Sequence, residues 1–250
     1  MQDILLQTLV LLALVGLVAG FIDSIAGGGG LLTVPALLLA GLTPMQALGT
    51  NKAQSVFGSG SASFAFARGG QVNWREMKLP FALSALGSAA GAYLATIISA
   101  EFLRTFLPVL LILIAVYFAL KPDAGDLPGR QIMAPAVFTA TFVPAIGFYD
   151  GILGPGTGSF FMLGYVALAG FGMLKATAHT KLLNFASNIG ALVIFVLGGA
   201  VIWKIGLAMG AGQFIGARLG AGLAMRNGAK LIKPLLVTVC IILSAKLLLG

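Results

Sequence analysis

The sequence predicts an all-α integral membrane protein with about 8–10 transmembrane segments, arranged as two inverted five-segment repeats. Hydrophobic residues make up 59% of the 250-residue chain and charged residues only 9%, whereas a soluble domain carries about 25% charged residues. Glycine is abundant, with 35 residues, as is typical where transmembrane helices approach one another closely. A glycine-rich motif that contains an aspartate occurs once in each half.

Apolar runs close to the ~20 residues that cross a bilayer define the segments. Those of the first half are 4–22, 31–41, 46–67, 79–98 and 101–120. Those of the second half are 131–149, 159–169, 174–197, 200–223 and 229–249. We therefore expect residues 1–122 and 131–250 to form the two repeats, joined by a loop at 123–130 that is rich in proline, glycine and charge.

Segments 31–41 and 159–169 are too short to cross alone. As helices they would reach about 16 Å, half of a ~30 Å hydrocarbon core. Each follows a glycine-rich stretch, so we predict two broken helices preceded by unwound backbone. Such backbone is tolerated at membrane depth only where it is buried in protein or lines a wet cavity. Whether the short segments cross fully or re-enter stays open at this stage.

Five crossings in each half would give the two repeats opposite orientations. The most basic loops, 68–78 and 224–233, follow the third and ninth segments and should therefore lie on one side. The positive-inside rule places that side in the cytoplasm and both termini outside. Paired glycines at G-x-x-x-G spacing, at 87 and 91 and again at 212 and 216, predict close helix packing in both halves.

The repeated motif reads G-F-I-D-S-I-A-G-G-G-G at 20–30 and G-F-Y-D-G-I-L-G-P-G-T-G at 147–158. The two aspartates are 127 positions apart, and the lysines that follow, Lys52 and Lys181, are 129 apart. Each half thus repeats one carboxylate, one glycine-rich break and one lysine. This layout is typical of a substrate site between two transporter repeats.

Two half-helix N-termini that meet near the midplane would offer free N–H groups and positive dipole ends to an anion. Glycines let the backbone amides approach an oxyanion; the alternative is that they serve only helix packing. The predicted substrate-binding residues are the glycines, the lysines and their polar neighbours: Lys52, Lys181, Asn51, Thr180, Gly28, Gly29, Gly30, Gly156, Gly158 and Asn184.

The roles of the four charged residues stay open at this stage. An ionisable group inside the membrane costs at least ~2.5 kcal/mol and needs a partner. Lys52 and Lys181 could contact the anion, pair with Asp23 and Asp150, or snorkel to the nearer interface. The two aspartates could form those ion pairs, carry a coupling proton or bind loop amides.

Several other functions are disfavoured. The basic residues behind the net charge of +8 are scattered at helix ends, so no nucleic-acid binding is predicted. One histidine and one cysteine cannot build a metal cluster, no Gly-Lys-Ser/Thr follows the glycine stretches, and we predict no cofactor. His179 is interpreted as a packed polar residue rather than a proton relay, and Arg218 as an interface residue rather than a gate.

The motifs at 20–35, 47–52 and 181–192 resemble those of the sulfite exporter TauE/SafE family, also called the 4-toluene sulfonate uptake permease family. The resemblance runs along the whole chain. It implies a transporter of the inner (cytoplasmic) membrane for a sulfur-containing or organic anion, such as sulfite or an organosulfonate. This agrees with the anion site predicted from the lysines and short helices.

The leading hypothesis is therefore a secondary transporter for a small oxyanion, embedded in the bilayer as a monomer or homodimer. One repeat would rock against the other around Lys52 and Lys181. An anion channel would share the site but lack closed states. An intramembrane aspartyl enzyme using Asp23 and Asp150 is a weaker alternative, because each aspartate has a repeated lysine and no G-x-G-D motif is present.

Overall fold

The computed structural model describes residues 6–98 and 129–228, and these residues form eight helices. The first half contributes α1 (Leu6–Ala26), α2 (Gly30–Leu39), α3 (Pro44–Arg68) and α4 (Trp74–Ile97). The second half contributes α5, which runs through Pro135–Val137, a π-helical turn at Phe138–Phe142 and Val143–Ile152, then α6 (Thr157–Ala167), α7 (Met173–Leu197) and α8 (Trp203–Asn227). The predicted segments 101–120 and 229–249, and most of the 123–130 loop, lie outside the described residues.

The all-helical prediction is confirmed, and the eight described segments match the predicted ones to within a few residues at most ends. Three helices, α1, α4 and α7, are long and apolar enough to cross a bilayer. Helices α3 and α8 are equally long, with 25 residues each, but they are richer in polar residues and glycine. In α3 the polar side chains are largely buried, among them Gln54, Ser59 and Ser61, so they face protein rather than lipid.

Left-handed glycines make the two breaks. Gly27 and Gly28 have φ angles of +80° and +86°, and they end α1 before α2 starts. Gly154 and Gly156 have φ angles of +87° and +84° and separate α5 from α6 in the same way. Only glycine enters this conformation without a steric penalty, so the glycine runs fix where each helix stops.

The predicted segments 4–22 and 131–149 end one residue before the two aspartates, and these two predicted ends are wrong. Helix α1 continues to Ala26 and α5 to Ile152, so Asp23 and Asp150 lie in the last helical turns. The physical reason is that the left-handed glycines, not the aspartates, interrupt the helix. Each break is therefore shorter than predicted, and each carboxylate projects from regular helix.

Helices of the two halves pack in a reciprocal pattern. Helix α1 packs against α8, and α4 packs against α5; α3 also packs against α8, and α4 against α7. The α1–α8 contact is therefore equivalent to the α5–α4 contact, and the α3–α8 contact is equivalent to the α7–α4 contact. Helices α3 and α7, the third of each half, pack against each other, and they carry the two repeated lysines.

Small residues allow the closest of these contacts, as predicted. Gly212 and Gly216 lie directly against the backbone of α1, where Gly216 meets Leu17. Gly87 and Gly91 of α4 lie against the backbone of α5 in the same manner. A Cβ atom at any of the four positions would overlap the neighbouring main chain, so the G-x-x-x-G pairs set how closely the helices approach.

The ends of α3 and α8 lie together. The Met225 side chain sits beside Gly69, just past the end of α3. Arg68 and Arg218 both place their guanidinium groups over the ring of Phe64, at 5.3 Å and 6.0 Å from its centroid. The described parts of the two basic loops therefore share one face of the helix bundle, as the sequence predicted.

Gly216→Ala should destabilise the protein by about 1–3 kcal/mol, because the added methyl group would force α8 away from α1. The matched control is Gly222→Ala on the same helix, where a Cβ meets nothing within 4 Å. That change should be neutral or stabilise by up to ~1 kcal/mol. Thermal unfolding in detergent compares the two, and equal midpoints would contradict the close α1–α8 packing.

Candidate functional site

A small polar cavity lies where the two glycine breaks meet. Gly27 packs against the backbone of Gly158 and Ser159, and Gly30 packs against Pro155. The cavity is small, and its free space is enough for about one water molecule. Besides glycine backbone, it is lined by carboxylate, amide and hydroxyl residues: Asp23, Asn51, Ser55, Asp150, Thr157, Asn184, Asn188 and Gln213.

Two ion pairs cross between the halves beside this cavity. Lys52 Nζ of the first half lies 2.8 Å from Asp150 Oδ1 of the second. Lys181 Nζ of the second half lies 2.9 Å from Asp23 Oδ2 of the first. Both lysines are at most 1% exposed. The pairing alternative is thus what the structure adopts, and snorkelling to an interface is wrong because both ammonium groups are buried.

The two carboxylates differ in how they are satisfied. Asp23 uses both oxygens, since Oδ2 pairs with Lys181 while Oδ1 accepts a hydrogen bond of 3.0 Å from the Gly29 amide. Asp23 therefore also holds the first glycine break in place. Asp150 is 2% exposed, and its Oδ2 has no hydrogen-bond partner. The second break is held instead by the Tyr149 hydroxyl, which donates to the Pro155 carbonyl at 2.6 Å.

Helices α3 and α7 contribute polar side chains at matching positions. The lysine spacing of 129 residues places Ser55 and Ser59 of α3 in register with Asn184 and Asn188 of α7. Asn188 Nδ2 donates to Asn184 Oδ1 at 3.2 Å and to Ser59 Oγ at 3.5 Å. The two helices therefore meet through a polar strip that continues from the cavity.

Asn51 is oriented by its neighbours. Its Oδ1 accepts hydrogen bonds from Thr33 Oγ1 at 2.6 Å and from Gln54 Nε2 at 2.8 Å. With the oxygen engaged twice, the NH₂ group is the part of this side chain that can donate to a ligand.

The structure brings most of the predicted substrate-binding residues to one place. The predicted residues that line the cavity are Gly28, Gly29, Gly30, Gly156, Gly158, Asn51 and Asn184, together with both aspartates.

The predicted lysines lie behind this lining instead. Lys52 Nζ approaches Gly154, and Lys181 Nζ approaches Gly158. Thr180 is buried outside the lining, and its hydroxyl has no hydrogen-bond partner. Direct contact of these three residues with an anion stays a prediction.

Sequence reasoning missed three side chains of the cavity, those of Ser55, Thr157 and Gln213. Ser55 could have been found from the repeat register, because it matches Asn184. Gln213 carried a weaker signal: it is a polar residue inside an apolar segment, next to a G-x-x-x-G glycine. It is 3% exposed and lines the cavity from α8.

His179 lies outside the cavity lining. Its Nδ1–H donates to the Lys175 carbonyl at 2.8 Å, and its ring packs against Tyr165 and Phe171, with centroids 5.4 Å and 5.0 Å away. The interpretation as a packed polar residue is supported. Within residues 6–98 and 129–228, no group of three histidine, cysteine, aspartate or glutamate side chains could hold a metal ion.

Known proteins resemble this chain along nearly its whole length. The family described as Sulfite exporter TauE/SafE matches residues 12–247. A "Probable membrane transporter protein ORF9" from Sinorhizobium sp is 59% identical, covering 99% of this chain and 95% of that protein. The "Probable membrane transporter protein YfcA" from Escherichia coli (strain K12) is 50% identical, covering 94% and 87%. A "Probable membrane transporter protein" from Haemophilus influenzae is 44% identical, covering 98% and 96%. No solved structure matches the chain.

Removing one member of the Lys52–Asp150 pair should be more harmful than removing both. Lys52→Met leaves a buried carboxylate without its partner and should cost about 3–5 kcal/mol of stability. Adding Asp150→Asn removes the orphaned charge and should recover much of that loss. Unfolding midpoints of the single and double variants measure the difference.

The control is Lys204→Met, which removes an exposed lysine of α8 and should change stability by no more than about 0.5 kcal/mol. A Lys52→Met protein as stable as the Lys204→Met protein would contradict the buried pair.

Proposed function

This chain belongs to the sulfite exporter TauE/SafE family, and we propose that it is a secondary transporter for a small oxyanion, sulfite or an organosulfonate. Its relatives are named as membrane transporters, and its apolar helices fit a multi-pass protein of the cytoplasmic membrane. The observation that carries the proposal is the polar cavity, built from equivalent parts of both halves at the starts of two short helices.

The lining suits an oxyanion because it is rich in hydrogen-bond donors. Helices α2 and α6 have 10 and 11 residues, and their N-cap residues, Gly29 and Gly156, provide no side-chain cap. Helix N-termini favour negative charge. The side-chain amides of Asn51, Asn184 and Gln213 add donors around the same space. Three oxygens of a sulfite or sulfonate group could be satisfied by such a set.

Alternating access is supported by how the halves are joined. Each break contributes one face of the cavity, and the reciprocal helix contacts agree with two repeats related by a pseudo-two-fold axis. Inverted transporter repeats move against each other around a site of this kind. We propose that the protein has ten transmembrane segments, arranged as two inverted five-segment repeats.

The enzyme alternative loses support from the same geometry. An aspartyl dyad requires two carboxylates that share one proton. Here Asp23 and Asp150 each have a lysine partner of their own, so the two carboxylates do not pair with each other as such a dyad requires.

Asn184→Ala should weaken anion binding about tenfold or more, because a hydrogen bond to a charged group contributes about 1.5–3 kcal/mol. The assay is thermal stability with sulfite, thiosulfate, methanesulfonate, 4-toluenesulfonate, sulfate, oxalate and chloride. A ligand at 100 times its Kd should stabilise the native protein by about 2.7 kcal/mol. The matched control, Asn227→Ala, removes an exposed amide at the end of α8 and should keep the full shift.

Equal shifts in the two variants would contradict the site. If an anion binds, flux into liposomes separates a transporter from a channel: counterflow of labelled anion requires a carrier that alternates, and its absence would favour the channel.

The basic face at the ends of α3 and α8 should lie in the cytoplasm, with both termini outside. Alkaline phosphatase fused after residue 250 should then be active, and green fluorescent protein fused there should be dark. The control is the same pair of reporters fused after Gly70, next to Arg68, where the result should reverse. A fluorescent C-terminal fusion would overturn this orientation.

A further inference from the structure

The charged residues at the cavity sum to zero. Two aspartates line the cavity, each paired with a lysine behind the lining, and within the described residues no other charged side chain lines this space. An arriving monoanion would leave the buried site with one uncompensated negative charge. An unpaired buried charge is strongly unfavourable, so the site needs a positive charge that arrives with the substrate.

Asp150 is the side chain that can receive this positive charge, in the form of a proton. Asp150 lines the cavity, and its Oδ2 is buried and lacks a hydrogen-bond partner. Asp23 has no such unpartnered oxygen, because Lys181 and the Gly29 amide both donate to its oxygens. A proton on Asp23 would have to share an oxygen with one of these two donors.

The surroundings of Asp150 contain few other groups that could titrate. Helix α3 presents Lys52, at 2.8 Å, and the second pair, Asp23 with Lys181, reaches the same cavity from α1 and α7. The Tyr149 hydroxyl on α5 donates a hydrogen bond to the Pro155 carbonyl. Helix α4 meets this part of α5 at uncharged Ser88.

We propose that each monoanion enters the cavity together with one proton, which binds Asp150 Oδ2, so that the protein is a proton–anion symporter. This inference rests on the proposed function. The proton comes from water and adds to a lone pair of Oδ2, and no other bond breaks. Neutral Asp150 can then donate to an anion oxygen, and the Lys52 charge that it no longer balances is balanced by the anion. Release of both restores the Lys52–Asp150 pair.

The first test is the pH dependence of binding. Methanesulfonate and 4-toluenesulfonate stay ionised throughout the neutral range, so only the protein titrates. Because binding takes up a proton, affinity should fall as pH rises, with Kd increasing about tenfold per pH unit above the pKa of the free site. In proteoliposomes, an inward sulfonate gradient should also acidify the lumen, by one proton per anion. A pH-independent Kd, or sulfonate uptake without acidification, would overturn the proposal.

Two matched variants locate the proton. Asp150→Asn keeps the shape of a neutral Asp150, so its Kd should lose the pH dependence and its transport should move no protons. Asp23→Asn leaves Lys181 without its carboxylate partner, but the Kd of this variant should keep its pH dependence. The reverse pattern would overturn the assignment to Asp150.

Should neither variant fold, the wild-type pH slope and proton flux still decide whether the symport occurs. Absence of any anion-induced shift at every pH would instead refute the proposed function, and this inference with it. Binding without a pH slope refutes the inference alone.

Discussion

The two buried Lys–Asp pairs determine how the rest of the structure is arranged. An isolated ammonium or carboxylate inside a membrane protein is strongly unfavourable, so each charge needs a partner at hydrogen-bond distance. Here each half provides a lysine to the other half's aspartate. Neither half can therefore bury its own charged residues by itself, and the two halves must meet at this level for both pairs to form.

The same exchange explains the glycine content of the interface. Both lysine ammonium groups lie beside the second glycine break, where Lys52 approaches Gly154 and Lys181 approaches Gly158. Side chains at those glycines would occupy the space that the ammonium groups need. The left-handed glycines also stop α1 and α5 beside their carboxylates. Helix breakage, charge pairing and cavity formation thus depend on one short motif that occurs twice.

The site is pseudo-symmetric in its components but not in its hydrogen bonds. The carboxylate of Asp23 stabilises a glycine amide, whereas in the second half a tyrosine hydroxyl stabilises the break and leaves one oxygen of Asp150 free. The π-helical turn of α5 also has no equivalent in α1, and π turns are frequent at functional sites. The repeated motif supplies two equivalent carboxylates, and their local neighbours give them different hydrogen bonds.

The sequence by itself determined the helical membrane class, the positions of the eight described segments, the repeated motif and the glycine contacts of the G-x-x-x-G pairs, because apolar runs, glycine runs and repeat spacing are local signals. It also identified most of the cavity lining. Only the tertiary structure decided that each lysine pairs with the opposite half's aspartate, since a pattern names the charges but not the distances between them. The same holds for Gln213 and Ser55, which belong to the cavity because α8 and α3 pack there. Whether Asp150 or Asp23 keeps a free oxygen likewise depends on one amide and one hydroxyl that no spacing rule brings together.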